Sequence, residues 1–168
     1  MKENKDTYYM QEALKQARQA YDKDEVPVGA VIVHKNRIIA RAYNQIKTLK
    51  DPTAHAEMIA ITQAASFLKN ERLNNTTVYV TIEPCSMCMG ALILARIKRL
   101  VFAAEDPKAG ACGSVLDLSN KKELNHKIEV KKHILEEESK KLIQEFFRNK
   151  RDKRSFNFFE TSRPNSDG

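Results

Sequence analysis

Two short fragments of this chain carry residues whose types and spacing could do chemistry: His55-Ala56-Glu57 and, further along, Pro84-Cys85-Ser86-Met87-Cys88. Together they offer one imidazole, two thiols that bind metals as thiolates, and one carboxylate. A closed structural zinc site takes four protein ligands, whereas a catalytic one usually takes three and leaves a position for water. His55, Cys85 and Cys88 with Glu57 left over therefore describe an ion that activates water, with a general base beside it. Two other readings use the same residues. A Cys-x-x-Cys pair can be redox-active, but Met87, Met89 and the upstream His-x-Glu point elsewhere. A structural zinc closed by His34, Cys112 or His126 would leave Glu57 without a task.

The elements around these fragments are readable from pattern. Asp51-Pro52-Thr53 looks like a helix start, with Asp51 or Thr53 as cap, and His55 and Glu57 then lie on a helix reaching residue 68. Pro84 opens a second helix, where its missing N–H costs nothing. On that helix Cys85 and Cys88, three apart, project from one face. They sit in the first turn, where unpaired N–H groups favour thiolate over thiol. Two helix starts facing each other across zinc would supply all three ligands from rigid elements. Elsewhere, Met10, Ala13, Leu14, Ala17 and Tyr21 recur at helical spacing over 8–21. Strands are expected at 30–34 and 38–43 around a Lys35-Asn36-Arg37 turn, then at 77–82, 100–104 and 128–132. A loop with Gly110 and Gly113 precedes the last strand. A closing helix over 134–151 would bury Leu135, Leu142, Ile143 and Phe146. Strands alternating with helices predict a three-layer α/β/α fold, with helices on both faces of the sheet. Residues 1–154 read as a single domain and 155–168 as a loosely ordered tail.

Composition sets the broad class. Of 168 residues, 42% are hydrophobic and 30% charged, which is globular rather than disordered. No apolar run is long enough to span a bilayer and none resembles a secretory signal. Three cysteines, two of them in the metal motif, fit a reducing, cytoplasmic setting. The net charge of +7 suits a polyanionic partner. From Phe146 to Arg154 the chain holds Arg148, Lys150, Arg151, Lys153 and Arg154 beside Phe146 and Phe147. Cations next to stackable rings suit single-stranded or loop nucleic acid. The plainer account is a solvated helix end whose cations favour the helix C-terminus.

The chain resembles the bacterial tRNA-specific adenosine deaminases, within the cytidine-deaminase-like zinc enzymes, from about residue 10 to residue 151. The pattern H-x-E…P-C-x-x-C is the known signature of nucleobase-directed zinc deaminases and is matched here, not discovered. The likeness also rests on Glu25-Val26-Pro27-Val28-Gly29-Ala30, Asp51-Pro52-Thr53-Ala54-His55-Ala56-Glu57 and Thr81-Ile82-Glu83-Pro84-Cys85. Further on it includes Asp106-Pro107-Lys108-Ala109-Gly110, Gly113-Ser114 and Leu124-Asn125-His126. The resemblance implies a cytidine-deaminase-like fold with a central mixed five-stranded sheet. It implies one Zn2+ per subunit on His55, Cys85 and Cys88, with Glu57 as proton shuttle. The implied reaction turns adenosine into inosine at the first anticodon nucleotide of a tRNA, an arginine tRNA with an ACG anticodon. It also implies an anticodon stem-loop as partner and a homodimer. Substrate contacts are carried over to Asn44, Asp106, Lys108, Asn125, His126, Phe147, Arg148 and Arg151.

One residue departs from the family pattern: Cys112 stands where a small alanine is usual, and a small buried thiol is the simplest account. The main rival keeps the chemistry and changes the substrate to a free base or nucleoside such as guanine. Guanine deaminases share the core motif, so the basic helix end is what discriminates. Apolar 89–94, followed by Arg96, Lys98 and Arg99, could serve a dimer interface or the core.

Overall fold

A computed structural model describes residues 2–161, with side chains described for 5–157. The elements run α1 (Lys2–Asp22), β1 (Gly29–His34), β2 (Arg37–Tyr43), α2 (Ile46–Leu49), α3 (Ala56–Leu68), β3 (Thr76–Ile82), α4 (Ser86–Leu94), β4 (Arg99–Ala104), β5 (Glu129–Lys131) and α5 (Glu136–Thr161). The five strands form one sheet in the order β2-β1-β3-β4-β5. It is mixed: β1 is antiparallel to both β2 and β3, while β3, β4 and β5 are parallel.

The hairpin closes through Lys35 and Asn36, both at positive φ (49° and 61°). Such a turn matches the right-handed twist of its strands, and Asn tolerates that backbone well. Pairing slips at Ile32/Val33, whose partners are Ala40 and Ile38, so Ile39 is the extra residue of a bulge. Strand β1 is buried from Gly29 to Val33, as a central strand covered on both faces must be.

Each face of the sheet has its own core. On one side Tyr9, Met10 and Ala13 of α1 pack on Val31, Val33, Tyr79, Val101 and Ala103. On the other, Ala56, Ala60 and Ala64 of α3, with Met89, Leu92 and Ile93 of α4, cover Ala30, Ile32, Val78, Val80, Leu100 and Phe102. A fully buried Phe, Leu or Ile contributes about 1.5–3 kcal/mol relative to exposure. Where β1 begins it touches α1 closely. A Cβ on Gly29 would lie 2.0 Å from the Ala13 carbonyl oxygen and 2.5 Å from the Ala17 nitrogen, so only glycine fits.

The expected α/β sandwich is present, and several boundaries move. Neither Asp51 nor Thr53 caps α3. Asp51 instead accepts from the Thr53 N–H (2.8 Å), an Asx turn ahead of the helix, and His55 is the N-cap. Pro84 lies two residues before α4, whose N-cap is Cys85. The short α2 shows no apolar period from which it could be predicted. Helix α5 starts at Glu136 and continues through 155–161, so the stretch expected to begin a loose tail is helical; 162–168 lie outside the described residues.

Candidate active site

The two fragments meet at the carboxyl ends of the parallel strands. His55 and Cys85 are the N-cap residues of α3 and α4, and Cys88 lies in the first turn of α4. The His55 Nδ1 stands 3.7 Å from Cys85 Sγ and 3.6 Å from Cys88 Sγ. A tetrahedral zinc with bonds near 2.3 Å to sulfur and 2.0–2.1 Å to nitrogen would hold S and N roughly 3.5 Å apart. The donors are therefore spaced as edges of such a tetrahedron. Their ligand atoms lie within 4.8 Å of one another, and among the described residues no fourth His, Cys, Asp or Glu joins them. The set could hold a metal ion and leave a coordination position open.

Electrostatics within the set follow from proximity. Hydrogen bonds from the Cys88 thiol and from His55 lower the Cys85 pKa to about 3. The Cys85 sulfur and burial push Cys88 up. The hydrogen bond to Cys85 raises His55. Glu57 is 3% exposed. Burial pushes its carboxyl up, partly offset by a hydrogen bond with Cys88.

Asn44 is buried at the end of β2, and its Oδ1 accepts from the Ala56 N–H (2.8 Å). It thus supplies from a neighbouring strand the bond that no side chain of α3's own N-cap makes. Asp106 also organises its surroundings: its Oδ1 accepts from the N–H groups of Lys108 (3.0 Å) and Ala109 (3.2 Å).

A groove of about 580 Å³ is lined by Lys47, Lys108, Phe147, Lys150, Arg151 and Arg154, among others. It brings Lys108 together with Phe147 and Arg151 of α5, which are remote from it in the sequence. Lys47 lies between Asn44 and His55, and Lys108 lies two residues before Gly110, which bridges to Cys85. Phe147 is 45% exposed beside the buried Phe146, their rings edge to face at 5.4 Å, so it faces water instead of joining the core. Arg148 is exposed on the same helix.

Asn125 and His126 are placed elsewhere. Asn125 is exposed, and His126 Nε2 lies 2.6 Å from the Ile97 carbonyl oxygen, where the chain enters β4. The metal-ligand set lies near the other end of that strand, roughly 20 Å away by strand rise. Cys112 is buried at 2% and outside the ligand group, and burial raises its thiol to about 11. Such a thiol is an inert core residue.

Two residues were not singled out by pattern: Glu25 and Glu83, both 2% exposed. Glu25 Oε1 accepts from the N–H groups of Lys47 (2.7 Å) and Thr48 (3.2 Å). Glu83 does the same for the segment around Gly110. The signal for Glu83 was an acidic residue between Ile82 and Pro84 at the end of an apolar strand, which calls for buried donors; Glu25, at the end of the charged run Asp22-Lys23-Asp24, gave no such signal.

Comparison with known proteins agrees with this geometry. The MafB19-like deaminase family matches residues 3–151. The tRNA-specific adenosine deaminase of Bacillus subtilis (strain 168) is 46% identical over 149 residues, covering 89% of this chain and 92% of the relative. A solved structure from a study of A-to-I editing by tRNA:A34 deaminases at the wobble position superposes with a TM-score of 0.79 at 43% identity. It covers 81% of this chain and 99% of that one. The guanine deaminase of Bacillus subtilis is more distant, at 34% identity and a TM-score of 0.58, covering 73% and 81%.

Proposed function

This chain belongs to the MafB19-like deaminases and, among them, to the tRNA-specific adenosine deaminases, and from that premise we propose that it hydrolyses adenosine to inosine at the wobble position of tRNA. The substrate we assign is an arginine tRNA with an ACG anticodon. The observation that carries the reading is a three-donor metal set with buried Glu57 beside it, in a chain that also presents a groove lined with five cations.

The metal we assign is Zn2+, on His55, Cys85 and Cys88; bound there it supplies the Lewis acidity that makes water nucleophilic near neutral pH. Glu57 does the proton work. It accepts a proton from the attacking water as the new C–O bond forms at C6, and delivers one to ring N1. It then takes the proton of the new C6 hydroxyl and carries it to the amino nitrogen as the C6–N bond breaks, so that C6=O forms and ammonia leaves. The base must first leave its stack, which is cheap in an anticodon loop. Asn44 holds the start of α3 in register with this chemistry.

Lys108, Phe147, Arg148 and Arg151 serve as contacts to RNA, the cations to phosphate and the ring to a splayed base. Asp106 acts through the loop that carries Lys108. Asn125 and His126 are carried over by resemblance alone. A homodimer is part of the proposal: Leu94 at the end of α4 is 82% exposed and Phe67 near the end of α3 is 60% exposed, apolar surface that an interface would cover. Arg99 has a structural partner instead, being paired with Asp6. No helix among the described residues is long and apolar enough to cross a membrane, and the proposed substrate places the protein in the cytoplasm.

The test is a deamination assay with zinc-loaded protein. It compares an ACG-anticodon arginine tRNA with guanine, adenine, cytosine and cytidine. Inosine at the wobble position, with no ammonia from the small substrates, is the expected result. Ammonia from guanine with the tRNA untouched would move the assignment to a free-base deaminase.

A further inference from the structure

We propose that Glu83 is a positioning residue whose buried carboxylate ties the segment 106–114 to the strand–helix junction carrying Cys85, and so sets where Lys108 stands in the groove. The proposal rests on the reading of that groove as an RNA site.

The connection between β4 and β5 has no helix or strand of its own. Long stretches of that kind are uncommon in compact domains and are usually functional. This one is gathered by a single side chain. Glu83 Oε1 accepts from the Asp106 N–H (3.2 Å) and from the Ser114 hydroxyl. Its Oε2 accepts from the N–H groups of Cys112 (3.0 Å) and Ser114 (3.2 Å). One carboxylate therefore closes the segment 106–114 on itself, through charge-assisted bonds. The Ala111 N–H also donates to the Pro84 carbonyl (2.9 Å), and Gly110 bridges to Cys85.

Gly110 is small for a direct reason. A Cβ there would lie 2.2 Å from Glu83 Oε2, 2.3 Å from its Cδ and 2.6 Å from the Asp106 carbonyl oxygen. Order then passes outward. Asp106, held by Glu83 through its N–H, accepts from the Lys108 N–H with its own side chain. Lys108 in turn lines the groove. Both Glu83 oxygens accept from N–H groups, so an amide cannot replace the carboxylate: its NH2 would face an N–H on one side or the other.

The experiment uses zinc-loaded protein and an ACG anticodon stem-loop RNA. Glu83→Gln is expected to raise KM about tenfold or more while kcat changes less than about threefold. Zinc content is expected to stay unchanged, and amide exchange at 106, 112 and 114 to become faster. Gly110→Ala pushes a methyl group into the same carboxylate and should show the same split, with the double variant short of additive. Ser114→Ala removes only the hydroxyl donor; a smaller KM rise in the same direction keeps the proposal testable if Glu83→Gln fails to accumulate. A loss of kcat at unchanged KM overturns it. If the wild-type protein does not deaminate the RNA, the functional reading fails separately. Amide exchange then decides the positioning, and unaltered protection at 106, 112 and 114 in these variants overturns it.

Discussion

Two carboxylates sit out of water at opposite ends of the same sheet, and their surroundings push them in opposite directions. Asp6 lies where β3 and β4 begin, its side chain 3% exposed. Arg99 grips it with two bonds of 2.7 and 2.8 Å, the Tyr79 hydroxyl donates at 2.7 Å and Lys131 at 3.1 Å. Burial would raise Asp6, but those donors outweigh it and hold the carboxyl well below the usual range. Glu57 lies where the strands end. Among the described residues no Lys or Arg pairs with it, and burial pushes its carboxyl up. The satisfied group binds α1 to β3, β4 and β5. The less satisfied one is the group to which the proposed function assigns proton transfer. Both are buried, and what differs is the number of donors aimed at the oxygens.

The largest expected effect comes from removing the reactive member of the pair. Glu57→Gln keeps the shape and should lower turnover on the tRNA by roughly 10²–10⁴-fold. Zinc content should be retained and the thermal midpoint should be equal to or above that of the wild type, since no ion pair is lost. A fall in the midpoint comparable to that caused by breaking Asp6 would show that both carboxylates are structural.

Next comes Asp6→Asn. It leaves Arg99 and Lys131 facing a neutral amide in a buried setting, at a cost of about 3–5 kcal/mol. For a domain of this size, a loss in that range lowers the midpoint by roughly 6–20 °C. Turnover per folded molecule should be kept. Loss of kcat in the folded fraction would show that the two ends of the sheet are coupled.

The same network sets an acid response. Asp6 is depressed from its ordinary 3.8, so its contribution is complete above about pH 4. It is lost as the pH falls below that value towards the lower folded-state pKa. Thermal melts from pH 6 to pH 2 should therefore bring the wild type towards Asp6→Asn only at the acid end. A gap that stayed constant across that range would mean that charge plays no part in the network.

The smallest effect is expected on the groove. Arg151→Ala should weaken tRNA binding a few-fold and make the plot of log affinity against log salt shallower by about one. An unchanged salt slope would take Arg151 out of phosphate contact and leave the reactive end without that part of its substrate surface.

Much of the reactive end was legible before any fold was known. Cys85 and Cys88 are three apart, so one helix start puts them on a shared face, and His55 and Glu57 likewise open a single helix. The Lys35-Asn36 turn and the periodicity of α1 were equally local. The residues that hold the site were harder to read. Asn44 is identified as the cap of α3 only when β2 ends beside Ala56. Glu83 shows its role only when the loop reaching Ser114 folds back over it.

By itself, then, the sequence determined the donor set, the spare carboxylate, the alternation of strands with helices and the cationic helix near its end. All of these depend on spacings of a few residues, and backbone geometry converts such spacings into shared faces. The tertiary structure alone decided which buried acid is gripped and which is free. Asp6 meets Tyr79, Arg99 and Lys131 across most of the chain, and Lys47, Lys108 and Arg151 meet around one groove. A carboxylate's behaviour depends on the donors and the water around it, and for Asp6 those donors come from segments remote in the sequence that only the folded sheet brings together.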